Sequence, residues 1–231
     1  MTRKRIVFLT GAGISVESGL STFRGNDGLW TNEEWAYLAS TDALINDTQR
    51  CLDFYNLRRR QLAGVKPNDA HRMIAELEKD YEVTVVTVNV DDLHERAGSS
   101  RVLHLHGELG KVCSMEDRTT CVKDYPLTTP ILVGDKADDG SQLRPNIVMF
   151  GEYVDRMNDA IESVREADIF VVVGTSLQVY PAAFVIYYAQ PEVPKFVIDP
   201  GEMDQCSRLG FTHFRTSATK GMKMLLEALR I

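Results

Sequence analysis

The fold is decided by the stretch Ile6-Val7-Phe8-Leu9-Thr10-Gly11-Ala12-Gly13, where an apolar run passes directly into small residues. A short run of this kind predicts a strand buried on both faces, followed by a tight turn and a helix. Similar runs recur at 83–87, 169–174 and 195–199, and amphipathic helix candidates lie at about 69–79, 154–166 and 181–189. This alternation predicts an α/β fold, a Rossmann-like parallel sheet with helices on both faces.

Two segments interrupt the alternation and predict a smaller lobe. Residues 31–66 contain a strong helical stretch at about Thr48–Ala63, and residues 111–145 are rich in charge, Gly, Thr and Pro. We therefore expect one catalytic domain over 1–231, with a core of about 1–30, 67–110 and 146–231 and a lobe of about 31–66 and 111–145. A cleft between core and lobe is a common place for a small-molecule site.

Composition narrows the class of protein. The formal net charge of −7 over 231 residues argues against a nucleic-acid binder, which needs a basic surface. We expect no membrane association and a cytoplasmic protein, because no apolar run approaches the roughly 20 residues that span a bilayer. Four cysteines are too few for a disulfide scaffold in this chain.

Two glycine-rich loops suit phosphate groups. Gly11-Ala12-Gly13 is followed by Ser21-Thr22-Phe23-Arg24-Gly25 and Gly28-Leu29-Trp30, which offer a guanidinium and aromatic faces. Gly174-Thr175-Ser176 ends another buried strand before a helix with Pro181 in its first turn. Ordinary turns and helix capping would also explain these residues.

Polar residues follow the second buried strand at Asn89-Val90-Asp91-Asp92-Leu93-His94. Side chains at the carboxyl edge of a parallel sheet project into the ligand crevice, where an amide and a carboxylate can hold a ribose and a carboxamide. Asn and Asp also end strands for local reasons. We assign His94 to structure.

Two histidines alternate in Leu103-His104-Leu105-His106-Gly107, which predicts that both rings lie on one face of a short strand. One of them could act as a base, or both could be hydrogen-bonded structural residues. A metal pair is the third interpretation. It is disfavoured because no carboxylate or cysteine clearly completes a ligand set in the sequence.

The order and spacing of these motifs resemble the sirtuin family over nearly the whole chain. The matching stretches include Gly11–Gly19, Thr22–Gly25, Asn89–His94 and His106–Leu109. They continue with Pro145-Asn146-Ile147-Val148-Met149-Phe150-Gly151-Glu152 and Gly174–Val179. Among sirtuins, the bacterial class III members are the most similar.

The resemblance implies an NAD-dependent protein-lysine deacylase that acts on acyl-lysine proteins or peptides. NAD would be a consumed co-substrate, the acyl group would pass to ADP-ribose, and nicotinamide would be released. His106 would be the catalytic base, assisted by Asn89 and Asp91. The NAD site would comprise Gly11, Ala12, Gly13, Phe23, Arg24, Trp30, Asn89, Val90, Asp91, Asp92, Gly174, Thr175, Ser176 and Ala218.

The resemblance also implies a substrate site. A strand around Val148–Glu152 would pair with the backbone of an extended peptide through Val148, Phe150, Gly151 and Glu152. Tyr55 and Arg58, at i and i+3 of a predicted helix, resemble the class III clamp for the far carboxylate of succinyl- or malonyl-lysine. We therefore expect desuccinylase or demalonylase activity beside deacetylation.

The chain departs from the family in several places. It lacks the two Cys-x-x-Cys pairs that hold zinc in many sirtuins and has only Cys113 and Cys121 there, so we expect no zinc and no metal ligands. Val88 replaces a glutamine, which predicts weaker NAD binding. Trp35 lies near the position where class III members carry a small residue in the acyl pocket, which predicts a narrower pocket here. Asp199-Pro200-Gly201 replaces the Asn-x-Glu that the family usually has near the adenosine.

Two other functions remain open at this point. The same site could serve an NAD-consuming ADP-ribosyltransferase or glycohydrolase, because each breaks the same glycosidic bond. The lost zinc pairs and Val88 would also suit a non-catalytic NAD-sensing module. Retention of His106, Asn89 and Asp91 favours the enzyme.

Overall fold

The computed structural model describes residues 3–22 and 33–229, and its strands form two sheets. A six-stranded parallel sheet has the order β3-β2-β1-β7-β8-β9, and a three-stranded antiparallel sheet has the order β5-β4-β6. The strands are β1 (Arg5–Thr10), β2 (Glu82–Thr87), β3 (Val102–His104), β4 (Gly107–Ser114), β5 (Lys123–Asp124), β6 (Leu143–Ile147), β7 (Ile169–Val173), β8 (Lys195–Ile198) and β9 (Thr212–Phe214).

Eight α-helices connect these strands within the described ranges. They are α1 (Glu33–Leu38), α2 (Thr41–Asn46), α3 (Thr48–Ala63), α4 (Asp69–Glu76), α5 (Leu93–Ala97), α6 (Met157–Arg165), α7 (Asp204–Arg208) and α8 (Ala218–Leu229). The helices expected after Gly13 and near 181–189 are 3-10 helices, Ala12–Ser18 and Ala182–Tyr188. No helix in the two described ranges is both long and apolar enough to cross a membrane.

The parallel sheet carries a core on each face, which confirms the predicted fold class. β1 lies between β2 and β7, and its successive side chains point to opposite faces. Val7 and Leu9 pack with α6 on one face, whereas Ile6 and Phe8 pack with α4 and α8 on the other. Each buried side chain of this kind contributes roughly 1.5–3 kcal/mol, so a continuous apolar strand is what two covered faces require.

The antiparallel sheet is joined to α3 by buried polar side chains. The Arg59 guanidinium is fully buried and donates to the carbonyls of Leu109, Pro126 and Thr129, with the last two at 2.6 and 3.3 Å. Asn56 adds a donated and an accepted hydrogen bond to the Ile131 backbone. These contacts hold the segment after β4 against α3.

Replacing Arg59 with methionine is expected to lower the free energy of unfolding by about 2–4 kcal/mol. The apolar side chain keeps much of the volume but leaves buried carbonyls without their charged donor. Urea unfolding at constant slope measures the change. Arg60→Met, at an exposed site on the same helix, is the matched control and should stay within about 0.5 kcal/mol. An Arg59 variant as stable as this control would contradict the assignment.

The start of α4 contains a buried histidine that makes stability depend on pH. Asn68 caps the helix and donates its backbone N–H to His71 Nδ1 at 3.4 Å, and burial, with the nearby Arg72 charge, lowers the pKa of His71 to about 4. The unfolded chain therefore binds a proton between about pH 6.5 and about pH 4 that the folded chain does not. His71 thus favours folding above about pH 6.5, and this contribution is lost as the pH falls.

The pKa of His71 is 6.5 in the unfolded chain and about 4 in the folded chain. We therefore expect the free energy of unfolding to fall by up to about 3 kcal/mol between about pH 6.5 and about pH 4. Urea unfolding at about pH 7 and about pH 5 tests this, with His71→Gln as the comparison. The variant should show a shallower decline. Equal declines in the two proteins would show that other groups cause the pH dependence.

Candidate active site

The two glycine loops pack directly against each other at the carboxyl ends of β1 and β7. Gly13 donates its N–H to the Gly174 carbonyl at 2.8 Å, and Gly11 donates to Val173 at 3.0 Å. A Cβ atom at Gly13 would lie 2.6 Å from the Gly174 Cα, and Gly174 itself has a φ of 63°. Side chains are therefore excluded at Gly13 and Gly174, because the two loops approach each other through their backbones.

The 3-10 helix Ala12–Ser18 also fixes the start of α8. The Glu17 carboxylate accepts hydrogen bonds from the Thr219 backbone at 2.8 Å and from Ser217 Oγ at 3.2 Å. These contacts place the buried Ala218 beside the first glycine loop. In the second loop, Thr175 packs against Gly11, and its hydroxyl accepts from the Leu177 backbone at 3.3 Å.

Asn89 and Asp91 lie where β2 ends and reach across to the first glycine loop. Ser15 Oγ donates to Asp91 at 3.0 Å, and Asn89 Nδ2 donates to the Gly11 carbonyl at 3.2 Å. The Asn89 Oδ1 atom is buried and has no hydrogen-bond partner within the described residues. A buried acceptor without a donor fits a ribose hydroxyl, so these residues suit a nucleotide.

The neighbours of Asn89 divide between the crevice and the surface. Val90 lines the crevice, and burial raises the pKa of the Asp91 carboxyl. Asp92 instead pairs with Arg96 at 3.3 Å on the exposed side of α5. Asp92 immediately precedes α5, and its predicted contact with NAD stays a prediction. Sequence reasoning passed over Ser15, although it lies inside the first glycine motif.

His106 is oriented as a base. Its Nδ1 lies 3.1 Å from the Val88 carbonyl. Since a carbonyl oxygen only accepts, Nδ1 carries the proton and Nε2 keeps its lone pair. Burial lowers the pKa of His106, opposed by this hydrogen bond, so the ring is neutral at neutral pH. His106 lines a cavity of about 190 Å³, called the cleft cavity below, together with Asn89 and Arg58.

The prediction that His104 and His106 share one face was wrong. β3 ends at His104, so the two-residue alternation does not continue to His106. His106 lines the cleft cavity, whereas His104 lines a separate cavity with Glu95 and Glu108. The expectation that no carboxylate accompanies these histidines is thereby corrected, because α5 brings Glu95 within 2.8 Å of His104.

Tyr55 and Arg58 meet in the wall of the cleft cavity, one turn apart on α3. The Tyr55 hydroxyl donates to Met149 Sδ at 3.2 Å, and burial raises its pKa. Burial also lowers the pKa of Arg58, opposed by the charges of Tyr55 and Asp91. Both side chains therefore line the pocket that His106 also lines, among mostly apolar residues.

Trp35 does not narrow this pocket, contrary to expectation. It packs on Phe54 with ring centroids 6.0 Å apart, and it is absent from the described lining of the cleft cavity. Ala39, one helical turn further on, supplies the small side chain in that wall. The helix around Trp35 has no glycine or proline, so the sequence does not fix which of its residues corresponds to the small residue of the family.

Residues 148–152 are not a strand, since β6 ends at Ile147. Val148 donates to the His106 carbonyl at 3.0 Å, and the backbone of Phe150 bonds to Ala39 and Thr41. The Glu152 carboxylate accepts from the Met149 backbone at 2.8 Å. The predicted peptide-pairing strand is therefore a turn. A substrate peptide would have to form its hydrogen bonds with backbone groups of 148–152 that these bonds do not occupy.

Glu152 stabilises this turn. Its carboxylate forms an ion pair with Arg144, whose side chain is 1% exposed. Gly151, with a φ of 102°, completes the turn, and a Cβ there would lie 2.7 Å from Thr41 Oγ1. Glu152 thus holds this turn and also lines the cleft cavity.

The remaining predicted residues fall into three groups. Phe23, Arg24 and Trp30 lie outside the described residues. Ser176 is exposed in the second loop. Val88 lines the cleft cavity with its side chain, and Asp199 accepts from the Gly201 backbone at 2.8 Å.

The cysteines do not fit the four-thiolate zinc site of the family. Cys113 is buried, and burial raises its pKa to about 11, while Cys121 is partly exposed. Within the described ranges, neither belongs to a group of three or more metal-ligating side chains. Two thiols cannot close a tetrahedral site.

Known proteins are similar to this chain in sequence. A model of the Sir2 family matches residues 11–181. The NAD-dependent protein deacylase of Bacteroides thetaiotaomicron is 47% identical over 229 residues, 98% of each chain. The NAD-dependent protein deacylase of Helicobacter pylori is 51% identical over 197 residues, 85% of each chain.

Solved structures agree with these relatives. A Sir2 homologue in complex with NAD superposes with a TM-score of 0.84 at 37% identity, covering 99% of this chain and 90% of that one. A Sir2 complex with a p53 peptide and NAD⁺ superposes with a TM-score of 0.76 at 28% identity, covering 99% and 94%.

Proposed function

The chain belongs to the Sir2, or sirtuin, family, and on that premise we propose that it is an NAD-dependent protein-lysine deacylase. NAD serves as a consumed co-substrate, the acyl group passes to ADP-ribose, and nicotinamide leaves. The observation that carries this proposal is the placement of His106, whose neutral ring lines the same cleft cavity as the buried Asn89.

Each residue of the crevice has a role that its contacts support. The absence of side chains at Gly11, Gly13 and Gly174 leaves space for the phosphates of NAD beside the two loops. Asn89 Oδ1 accepts a hydrogen bond from a ribose hydroxyl of NAD. Asp91, held by a hydrogen bond from Ser15, orients the carboxamide of the nicotinamide ring. His106 removes a proton from a ribose hydroxyl, because its Nε2 lone pair is kept free by the Val88 carbonyl.

The acyl groups we propose are acetyl and the acidic succinyl and malonyl groups, as in class III sirtuins. Arg58 presents a guanidinium inside an apolar pocket, and a carboxylate is the group that pairs with it most strongly. Ala39 leaves space for the longer acyl chain. The substrates are therefore lysine side chains of proteins or peptides, and the compartment we propose is the cytoplasm.

The proposal is tested by mass spectrometry of a single reaction. The purified protein is mixed with NAD and matched acetyl-lysine and succinyl-lysine peptides, with and without EDTA. We expect deacylated peptide, nicotinamide and O-acyl-ADP-ribose to appear together. Because the four-cysteine zinc site is missing, EDTA should not stop the reaction.

Other products would identify another function. Nicotinamide without deacylated peptide would indicate an ADP-ribosyltransferase or glycohydrolase. Calorimetric binding of NAD with no turnover of either peptide would indicate an NAD-sensing module. Either result would overturn the deacylase proposal.

A further inference from the structure

Three potential metal ligands converge outside the cleft. Glu95 on α5, His104 at the end of β3 and Glu108 in β4 bring their ligand atoms within 4.8 Å of one another. They line a cavity of about 320 Å³ that shares no described lining residue with the cleft cavity. The His104 side chain is only 7% exposed, so its orientation is fixed by the protein.

The hydrogen bonds of His104 point its Nε2 at the carboxylate cluster. Its Nδ1 lies 3.0 Å from the Asn89 carbonyl, which only accepts, so Nδ1 carries the proton. Its Nε2 lies 2.8 Å from a Glu95 carboxylate oxygen, which also accepts. Two lone pairs face each other unless a proton or a metal ion joins them. A histidine whose other nitrogen donates to a backbone carbonyl is the usual arrangement at metal sites.

The ligand set determines the kind of metal. One imidazole and two carboxylates suit Zn²⁺ and related transition ions better than Mg²⁺ or Ca²⁺, which prefer oxygen ligands alone. Ligands of a tetrahedral zinc at about 2.0–2.1 Å stand about 3.3 Å apart, so the two carboxylates, now within 4.8 Å of each other and of His104, have to adjust when a metal binds. The cavity has room for water at the fourth position.

Lys111 is the competitor for this site. Its ammonium lies 2.8 Å from the Glu108 carboxylate and must release one oxygen when a metal binds. The pair is partly exposed, with side chains 35% and 24% accessible, so this exchange costs little.

We propose that Glu95, His104 and Glu108 form a binding site for a divalent transition-metal ion of the zinc type. The site is separate from the four-cysteine position of the family and departs from our expectation of no metal. It does not depend on the deacylase proposal, because none of the three side chains lines the cleft cavity.

The experiment measures Zn²⁺ affinity of the full chain by competition with a chromogenic chelator. We expect one Zn²⁺ per chain, and a loss of at least ~100-fold in affinity in His104→Gln and in Glu95→Gln, since loss of an outer-shell partner alone costs about 10–100-fold. Glu95 is exposed, so its variant remains folded. Glu76→Gln on α4 and Cys113→Ser with Cys121→Ser are the controls and should bind as the parent does.

Each result decides the matter. Zinc located at His104 by anomalous diffraction at its absorption edge, with binding lost only in the ligand variants, supports the site. No binding, equal binding in all variants, or loss only in the cysteine variants would overturn it, and a proton would then be what joins His104 to Glu95.

Discussion

Replacing His106 with alanine is expected to lower kcat/KM for acyl-lysine peptides by about 10²–10⁴-fold, the usual contribution of a positioned base. The reason is specific to its contacts. The Val88 carbonyl holds the proton on Nδ1, so Nε2 is the ring nitrogen that can take a proton from a ribose hydroxyl. NAD affinity should change little, because the phosphate and ribose contacts come from the glycine loops and Asn89.

The measurement combines steady-state kinetics with calorimetric NAD binding and urea unfolding of the same variant. Unchanged NAD affinity and stability show that the loss lies in the chemical step. A variant that keeps more than about a tenth of the parent rate would remove His106 from the role of base.

The glycine loops and the parallel sheet were predictable because their causes are local. β1 is apolar at successive positions, a pattern that is required only when both faces of the sheet are covered. In the structure, Ile6 and the next residue, Val7, pack in the cores on opposite faces. Small residues after β1 and β7 predicted turns that suit phosphates, whereas the Gly13–Gly174 contact between the two loops was not predicted. Parallel order then brings both loops to one edge of the sheet.

The errors arose where distant elements decide the geometry. Glu95 reaches His104 from a different element, so no sequence spacing shows that they meet. The stretch 148–152 resembles a strand in sequence but turns, because Glu152 bonds to the Met149 backbone and Arg144. In the sequence, Arg59 is one of three consecutive arginines on a predicted helix. In the folded structure its side chain is buried and donates to backbone carbonyls of a distant segment.

Arg58→Met is expected to lower kcat/KM for succinyl-lysine peptides by at least ~30-fold and to leave deacetylation within a few-fold of the parent. Removing one partner of a buried hydrogen-bonded charge pair costs about 2–5 kcal/mol, and an acetyl group has no carboxylate to lose. Tyr55→Phe should move selectivity in the same direction by a smaller amount, because it removes one neutral donor beside Arg58.

Arg60→Met, at an exposed position of the same helix, is the control and should leave both activities unchanged. The ratio of the two kcat/KM values is the decisive quantity, because a general loss of folding or of NAD binding lowers both together. Arg58 also lines a smaller cavity beside Asp91, so an equal fall in both activities would assign it to the NAD site. Only a change in the ratio shows that Arg58 recognises the acyl carboxylate.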